Sequence, residues 1–327
     1  MTASRQTLRI GTRGSLLAHT QTQWVIAQLQ QAHPGLEIAL EIIETTGDMR
    51  RDVPFTAVGT KGMFVKEIEQ ALLDGSIDVG VHSLKDMPSE QPDGLELACV
   101  PKREDPHDAL ISRNRLRFDA LAQGAVVGTS SVRRQAQLRL RRPDLKLVEL
   151  RGNLDTRLRK LDAGEYDAIV VACAGLHRLG LAERIVEPLS PQVCVPAAGQ
   201  GALALETRAG DSATVALLTA IHDPDTALCV EAERAFLAGL GGGCSVPAGA
   251  LATLGPDGWL ILEVIILAPD GSHSIHFSNH QELGYDPQFW SKSSRSERAS
   301  PLERAIYLGE MTAQTAYEKG ADRILKG

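Results

Sequence analysis

Cys244 is the thiol best placed for chemistry. It stands in Leu240-Gly-Gly-Gly-Cys-Ser-Val-Pro247, directly after three glycines, on a segment that can expose it. An exposed thiol is open to covalent reaction. Cys99, Cys173 and Cys194 fall in apolar, strand-like stretches and Cys229 in a helical one. Those four read as core fillers, the usual role of buried free cysteines. The five cysteines are scattered and show no C-x-x-C spacing, so neither a disulfide framework nor a zinc site is expected, and no metal.

A second constellation is His82-Ser-Leu-Lys-Asp86, at the carboxyl end of a strand-like run. A carboxylate beside an ammonium can hold a cationic intermediate and pass protons. The plainer alternative is a surface Lys–Asp pair, which stabilises little. Lys61, in Gly59-Thr-Lys-Gly-Met-Phe64, carries the same ambiguity.

Three strand-to-helix junctions form a third group: Gly11-Thr-Arg-Gly-Ser15, Gly128-Thr-Ser-Ser-Val-Arg-Arg134, and Arg151-Gly-Asn153 with Arg157. Free backbone N–H groups at a helix start attract anions, and hydroxyls add donors. The arginine fork suits bidentate capture of carboxylate or phosphate. The first segment also reads as an ordinary turn with a serine cap. Arg139, Arg141 and Arg142 read as a solvated helix face; Arg133, Arg134 and Arg151 stand at junctions, where anion binding is favoured.

The charge distribution bounds the ligand. The net charge is −7, yet Arg133–Lys160 carries ten basic and three acidic residues. A basic cluster on an acidic chain points to a small, bounded anion. That cluster contains no aromatic residue and aromatics are 4% of the chain, which argues against single-stranded nucleic acid.

The elements that must position these groups are legible in outline. Strands are expected at Leu8–Thr12, Leu36–Ile43, Ile77–His82, Leu95–Val100, Ala125–Thr129, Leu145–Leu150 and Asp167–Ala172. Helices are expected at Ser15–Gln31, Phe64–Leu73, Ser131–Arg142 and Asn153–Ala163. This alternation implies a mainly parallel sheet with helices on both faces, whose ligands bind at carboxyl ends of strands. After about Pro224 the pattern changes. A long helix at Thr226–Leu240, strands at Ala248–Leu254 and Trp259–Leu267, and a last helix from Pro301 to Lys319 suit a small α+β domain. Gln281–Ser300 is polar, with five serines from Ser291 to Ser300, and reads as a surface loop. No run reaches the roughly 18 apolar residues of a membrane span. Met1–Gln6 is polar and lacks a secretory core, so a cytoplasmic chain is expected.

In series, these segments resemble the porphobilinogen deaminase (hydroxymethylbilane synthase) family. The matching stretches are Arg9–Arg13, Gly62–Glu67, Val81–Pro88, Arg103–Pro106, Val127–Gln135, Leu150–Asn153, Gly199–Gly201 and Gly242–Cys244, in order over roughly Leu8–Gly249. The resemblance implies an α/β fold of two periplasmic-binding-protein-like (type 2), doubly wound domains plus a small α+β C-terminal domain. Domain 1 would comprise 1–101 and 201–221, domain 2 106–196 and domain 3 224–327, with crossings near Pro101–Pro106 and Val195–Gly201. Cys244 would carry a dipyrromethane through a thioether, and Asp86 would be the catalytic carboxylate. Lys85, Thr129, Ser131, Arg133, Arg134, Arg151 and Gly152 match cofactor-binding positions. Arg13, Ser15, Lys61, Ser83, Arg157 and Gln200 match substrate-binding ones.

The implied reaction is a repeated deamination and condensation of four porphobilinogen units, ending in hydrolytic release of hydroxymethylbilane for tetrapyrrole and heme biosynthesis. Each pyrrole brings two carboxylates, which gives the basic junctions a purpose, and hinge motion would carry the product past a fixed Asp86. The resemblance further implies a monomer that contacts no nucleic acid or membrane and hands its product transiently to uroporphyrinogen-III synthase. Leu16 replaces a frequent proline, His107 a commoner arginine and Thr60 a frequent glycine; none removes a proposed catalytic group. The rival readings are an anion-binding receptor of the same fold and another cysteine-dependent transferase.

Overall fold

The computed structural model describes residues 7–45, 65–88, 91–241, 246–283 and 300–326. Thr60, Lys61 and Cys244 lie outside the described residues, as does most of the Ser-rich stretch, 284–299.

The first sheet is built from β1 (Leu8–Arg13), β2 (Ile38–Ile43), β3 (Val79–Ser83), β4 (Leu95–Cys99) and β10 (Leu203–Arg208), in the order β2-β1-β3-β10-β4. The second contains β5 (Asp108–Ser112), β6 (Val126–Gly128), β7 (Lys146–Val148), β8 (Ala168–Ala172) and β9 (Glu187–Leu189), in the order β7-β6-β8-β5-β9. The two orders are one topology used twice. In each sheet four strands run parallel and a single one, β10 or β5, runs against its neighbours. The reversed strand is the one that arrives from the other sheet: residues 100–107 lead from β4 into β5, and 190–202 lead from β9 back to β10. The mainly parallel expectation therefore holds, with one exception per sheet created by the crossings. Neither β5, β9 nor β10 was read from the sequence. Each lobe is thus a mainly parallel, doubly wound sheet.

Alternation along the strands explains why both faces are covered. In β8, Ala168 and Val170 pack with Leu138 of α3 (Val132–Arg141), while Ile169 and Val171 pack with Leu158 and Leu161 of α4 (Leu154–Asp162) and Leu176 of α5 (Cys173–Arg178). In the first sheet, Ile10 and Val79 meet Val25 and Leu29 of α1 (Leu16–Ala32) and Leu218 of α6 (Ser212–Leu218). Ile68 and Leu72 of α2 (Lys66–Leu73) cover the other face.

The third unit is a sheet of β11 (Ala248–Leu254), β12 (Trp259–Leu267) and β13 (Ser274–Glu282), with α7 (Pro224–Gly239), α8 (Pro301–Glu318) and α9 (Ala321–Lys326). Phe236, Ala250, Leu262, Val264, Leu308 and Ala313 form its core, an α+β arrangement. Its other face turns Leu251, Ile265 and Leu267 onto Ala136 of α3 and Val195. The sequence reading missed β13, because only Ile275 and Phe277 are apolar in it, and it assigned Gln281 and Glu282 to a loop although they complete that strand. No helix among the described residues is long and apolar enough to cross a membrane.

Two expectations about cysteines need correction. Cys173 opens α5 instead of continuing β8, and Cys194 lies in irregular chain before the second crossing. Their role as core fillers is unaffected. Burial pushes the thiols of Cys99, Cys173, Cys194 and Cys229 up to about 12, which leaves them inert as nucleophiles.

The third unit is fastened to both crossings by one buried carboxylate. Glu233 of α7 accepts from Arg103 Nη1 at 2.7 Å and Nη2 at 3.1 Å, from the Gly199 N–H at 2.6 Å and from the Ala252 N–H at 2.8 Å. Arg103 Nε donates to the Gln200 carbonyl at 2.8 Å. The crossings also touch each other. Gly201 has φ +87°, and a Cβ there would overlap the Glu104 carbonyl oxygen, so glycine is required at this approach. Glu233→Ala removes the carboxylate that neutralises Arg103 and leaves both Arg103 Nη groups and two backbone N–H groups without this acceptor. A destabilisation of about 3–5 kcal/mol is expected in denaturant unfolding, with Glu233→Gln intermediate. A midpoint equal to the parent's would remove Glu233 from this fastening role.

Candidate active site

The site is assembled at the carboxyl ends of strands, where the chain must turn. β3 ends at Ser83 and enters a single 3-10 turn, Leu84–Asp86, which leaves Leu84 buried and Asp86 exposed. β1 ends at Arg13, and Ser15 caps α1 by accepting from the Ala18 N–H at 3.3 Å. In the second lobe Ser131 caps α3 and accepts from the Arg134 N–H at 3.4 Å. Thr129 is buried and accepts from the Ser131 N–H at 3.3 Å. A hydroxyl that accepts from the backbone keeps its own proton to donate. Short polar residues at these turns therefore serve as caps and remain usable as ligand donors.

Asp108, the first residue of β5, is the electrostatic centre. It is fully buried and faces both Arg133 and Arg134, each 5% exposed. Arg133 Nη1 donates to Asp108 at 2.7 Å and to the Val195 carbonyl at 2.7 Å. Arg134 Nε donates to the other Asp108 oxygen at 2.8 Å, and its Nη1 to the Val170 carbonyl at 3.1 Å. Burial alone would push Asp108 up; the two guanidiniums overrule it and hold the acid far below the usual carboxylate range. Burial likewise works against the charge on Arg133, and Asp108 more than restores it.

Gln200, also fully buried, links this centre to the Leu84–Asp86 turn. Its Nε2 donates to the Pro106 carbonyl at 2.7 Å and to Asp108 at 2.9 Å. Its Oε1 accepts from Arg134 Nη2 at 3.3 Å and from Lys85 Nζ at 3.5 Å. Burial lowers Lys85 to about 8; Asp86 opposes that shift, while Arg134 and Arg133 add to it. Arg157 is lowered to about 10, first by burial and then by Arg134, again with Asp86 opposing. Its Nε donates to the Gly152 carbonyl at 2.8 Å. Lys85, Asp86, Arg133, Arg134, Arg157 and Gln200 thus form one electrostatic neighbourhood spanning both lobes.

The remaining candidates flank it. Ser83 donates to Gln21 Oε1 at 3.2 Å, and Arg151 pairs with Glu149 at 2.5 Å. Lys61 and Cys244 lie outside the described residues. Two residues with a place here were not picked from the sequence. Nothing in local spacing couples Asp108 to arginines 25 and 26 positions onward. Arg178 ends α5, donates to the Gly201 carbonyl at 2.7 Å, and is lowered to about 10 by burial, with Glu104 opposing. It closes α5 instead of opening it, so the junction rule applied to the other arginines does not find it.

The chemistry of this donor set fits a molecule bearing several carboxylates. Lys85 and Arg157 are half-buried cations held below their ordinary range, and a carboxylate ligand would raise both. One acid, Asp86, stands among them in reach of a positive centre.

Comparison with known proteins agrees with this geometry. Residues 8–216 match the family model "Porphobilinogen deaminase, dipyromethane cofactor binding domain", and residues 227–285 match "Porphobilinogen deaminase, C-terminal domain". A porphobilinogen deaminase of Syntrophotalea carbinolica is 50% identical over 98% of this chain and 96% of its own. That of Bacillus subtilis is 49% identical over 81% of this chain and 85% of its own. Among solved structures, the second substrate binding domain of a putative amino acid ABC transporter from Streptococcus pneumoniae gives a TM-score of 0.41 at 14% identity, covering 66% of this chain and 92% of that one. With both parts of the chain matched and relatives about half identical across most of its length, the chain belongs to the porphobilinogen deaminase family.

Proposed function

We propose that the cleft between the two larger sheets is where this chain performs the family reaction, and that Asp86 is its catalytic carboxylate. The reaction is the stepwise deamination and head-to-tail condensation of four porphobilinogen molecules, followed by hydrolytic release of hydroxymethylbilane. The observation that carries this reading is the pair of half-buried cations, Lys85 and Arg157, both held below their ordinary range and both within electrostatic reach of one exposed acid, Asp86. Cys244 would hold the dipyrromethane through a thioether, with Lys85, Thr129, Ser131, Arg133, Arg134, Arg151 and Gly152 around its acetate and propionate groups. When bound, that cofactor supplies the nucleophilic pyrrole carbon.

The chain's own residues supply the rest. Asp86 accepts hydrogen bonds from pyrrole N–H, assists departure of ammonia, and stabilises the positive charge left on the substrate. Arg13, Ser15, Lys61, Ser83, Arg157 and Gln200 orient the incoming substrate, the cations by pairing with its carboxylates. Because Gln200 bonds to both lobes, it also registers their relative position. The division into domains 1–101 with 201–221, 106–196 and 224–327 follows the two crossings. We read the enzyme as a cytoplasmic monomer that passes its product to uroporphyrinogen-III synthase.

Intact mass separates this reading from a receptor or from another cysteine-dependent transferase, which would carry only a transient adduct. The purified parent should carry one extra dipyrromethane and Cys244→Ala none; an unmodified, fully active parent rejects the covalent cofactor. Asp86→Asn should keep the cofactor while turnover falls by about 10²–10⁴. Near-normal rates would strip Asp86 of its role. Lys85 loses its charge as pH rises through about 8, so anion capture should weaken above that value. The rate of cofactor assembly by apoprotein, followed by mass from pH ~7 to ~10, should show this alkaline limb. Lys85→Arg should move the limb upward, and an unmoved limb would exclude Lys85 from the anion site.

A further inference from the structure

Beneath the catalytic turn lies a buried pair of titratable side chains that the mechanism above leaves unused. His82 is the penultimate residue of β3, and Glu206 lies on the antiparallel neighbour β10. Their register sets His82 opposite Ala204 and Gly80 opposite Glu206, so the two side chains are diagonal neighbours on one face of the sheet. His82 Nε2 stands 3.1 Å from Glu206 Oε2, with the side chains 3% and 0% exposed. Neither carboxylate oxygen nor His82 Nε2 makes a hydrogen bond of acceptable geometry. The two groups therefore meet within ion-pair distance without a directional hydrogen bond.

Two other charged groups act on the pair: Glu69 from α2, and Arg234 from α7, which also lies 3.8 Å from Glu231. Space for the imidazole is made by Gly80. A Cβ there would come within 2.9 Å of His82 Nε2 and 2.7 Å of Ile68 Cγ2.

The placement matters because of what each strand leads to. β3 runs directly into Leu84–Asp86, and β10 follows directly from the second crossing. Leu84 N–H donates to the Ala202 carbonyl at 3.1 Å, which continues the same seam past the strand end. We propose that Glu206, acting through His82, is a positioning residue for Asp86: the buried pair fixes the end of β3 to the strand returning from the hinge. It holds the carboxylate in place while the lobes move. This rests on Asp86 being the catalytic carboxylate.

The test uses cofactor-bearing protein, with occupancy taken from intact mass and folding verified for each variant. Glu206→Ala should lower kcat by about 10²-fold, the penalty of a misplaced reacting group, with KM for porphobilinogen within about threefold. His82→Ala should match it, and the double variant should be no worse than either alone. Glu206→Gln retains the shape and a hydrogen-bonding end and should lose only about tenfold. Glu206→Ala added to Asp86→Asn should cost little beyond Asp86→Asn. Parent-like kcat with a lowered Tm, a rise in KM alone, or additive losses would each overturn the proposal. If Glu206→Ala does not fold, Glu206→Gln decides: a fall in kcat at unchanged KM supports the role, and a parent-like kcat ends it. Should Asp86→Asn itself turn over normally, the assignment of Asp86 fails, and the His82–Glu206 double variant still reports whether the pair acts as one unit.

Discussion

A carboxylate buried as deeply as that of Asp108 costs several kcal/mol unless other charges and donors surround it, and much of the site follows from how this chain meets that cost. Two guanidiniums and one amide converge on the acid from α3 and from the second crossing. Asp108 begins β5, at the point where the chain enters the second lobe. The same bonds that compensate it therefore fix the start of α3, the path of both crossings, and Gln200 between the lobes. Because two arginines share one acid, a positive charge is left over beside Lys85 and Arg157. The anion-attracting character of the cleft and the integrity of the hinge come from one cluster.

Glu233 does for the third unit what Asp108 does for the second lobe. It engages Arg103 from the first crossing, Gly199 from the second, and Ala252 from β11. The third unit is thereby tied to both crossings, and through Leu251, Ile265 and Leu267 it also packs on α3. The lobes can change their mutual angle only by moving segments that these two carboxylates hold. This favours rotation of whole lobes over local deformation.

The topology supplies the remaining constraint. Each larger sheet receives its reversed strand from the other, so β3 is hydrogen-bonded to a strand that has just left the second crossing. Asp86 thus sits one strand away from that crossing. The buried His82–Glu206 contact lies across that same seam.

By itself, the sequence determined what depends on neighbours along the chain. Strand-to-helix alternation, serine caps at Ser15 and Ser131, arginines at the junctions, and Cys244 beyond its glycine run are all local signals, set by helix-end chemistry and backbone freedom. The ordered series of motifs was specific enough to give the family. The tertiary structure alone decided which arginines are committed to the protein. Arg133 and Arg134 look like free anion receptors beside Arg157, yet both also pair with Asp108, a residue with no local mark, and so belong to the core of the hinge as well as to the anion site proposed for them. Likewise β5 and β10 are strands because of the sheets they complete, since a short strand's state is set by its partners more than by its own propensity. Long-range pairing of buried charge is invisible to spacing, because electrostatic compensation depends on distance in space and on the exclusion of water.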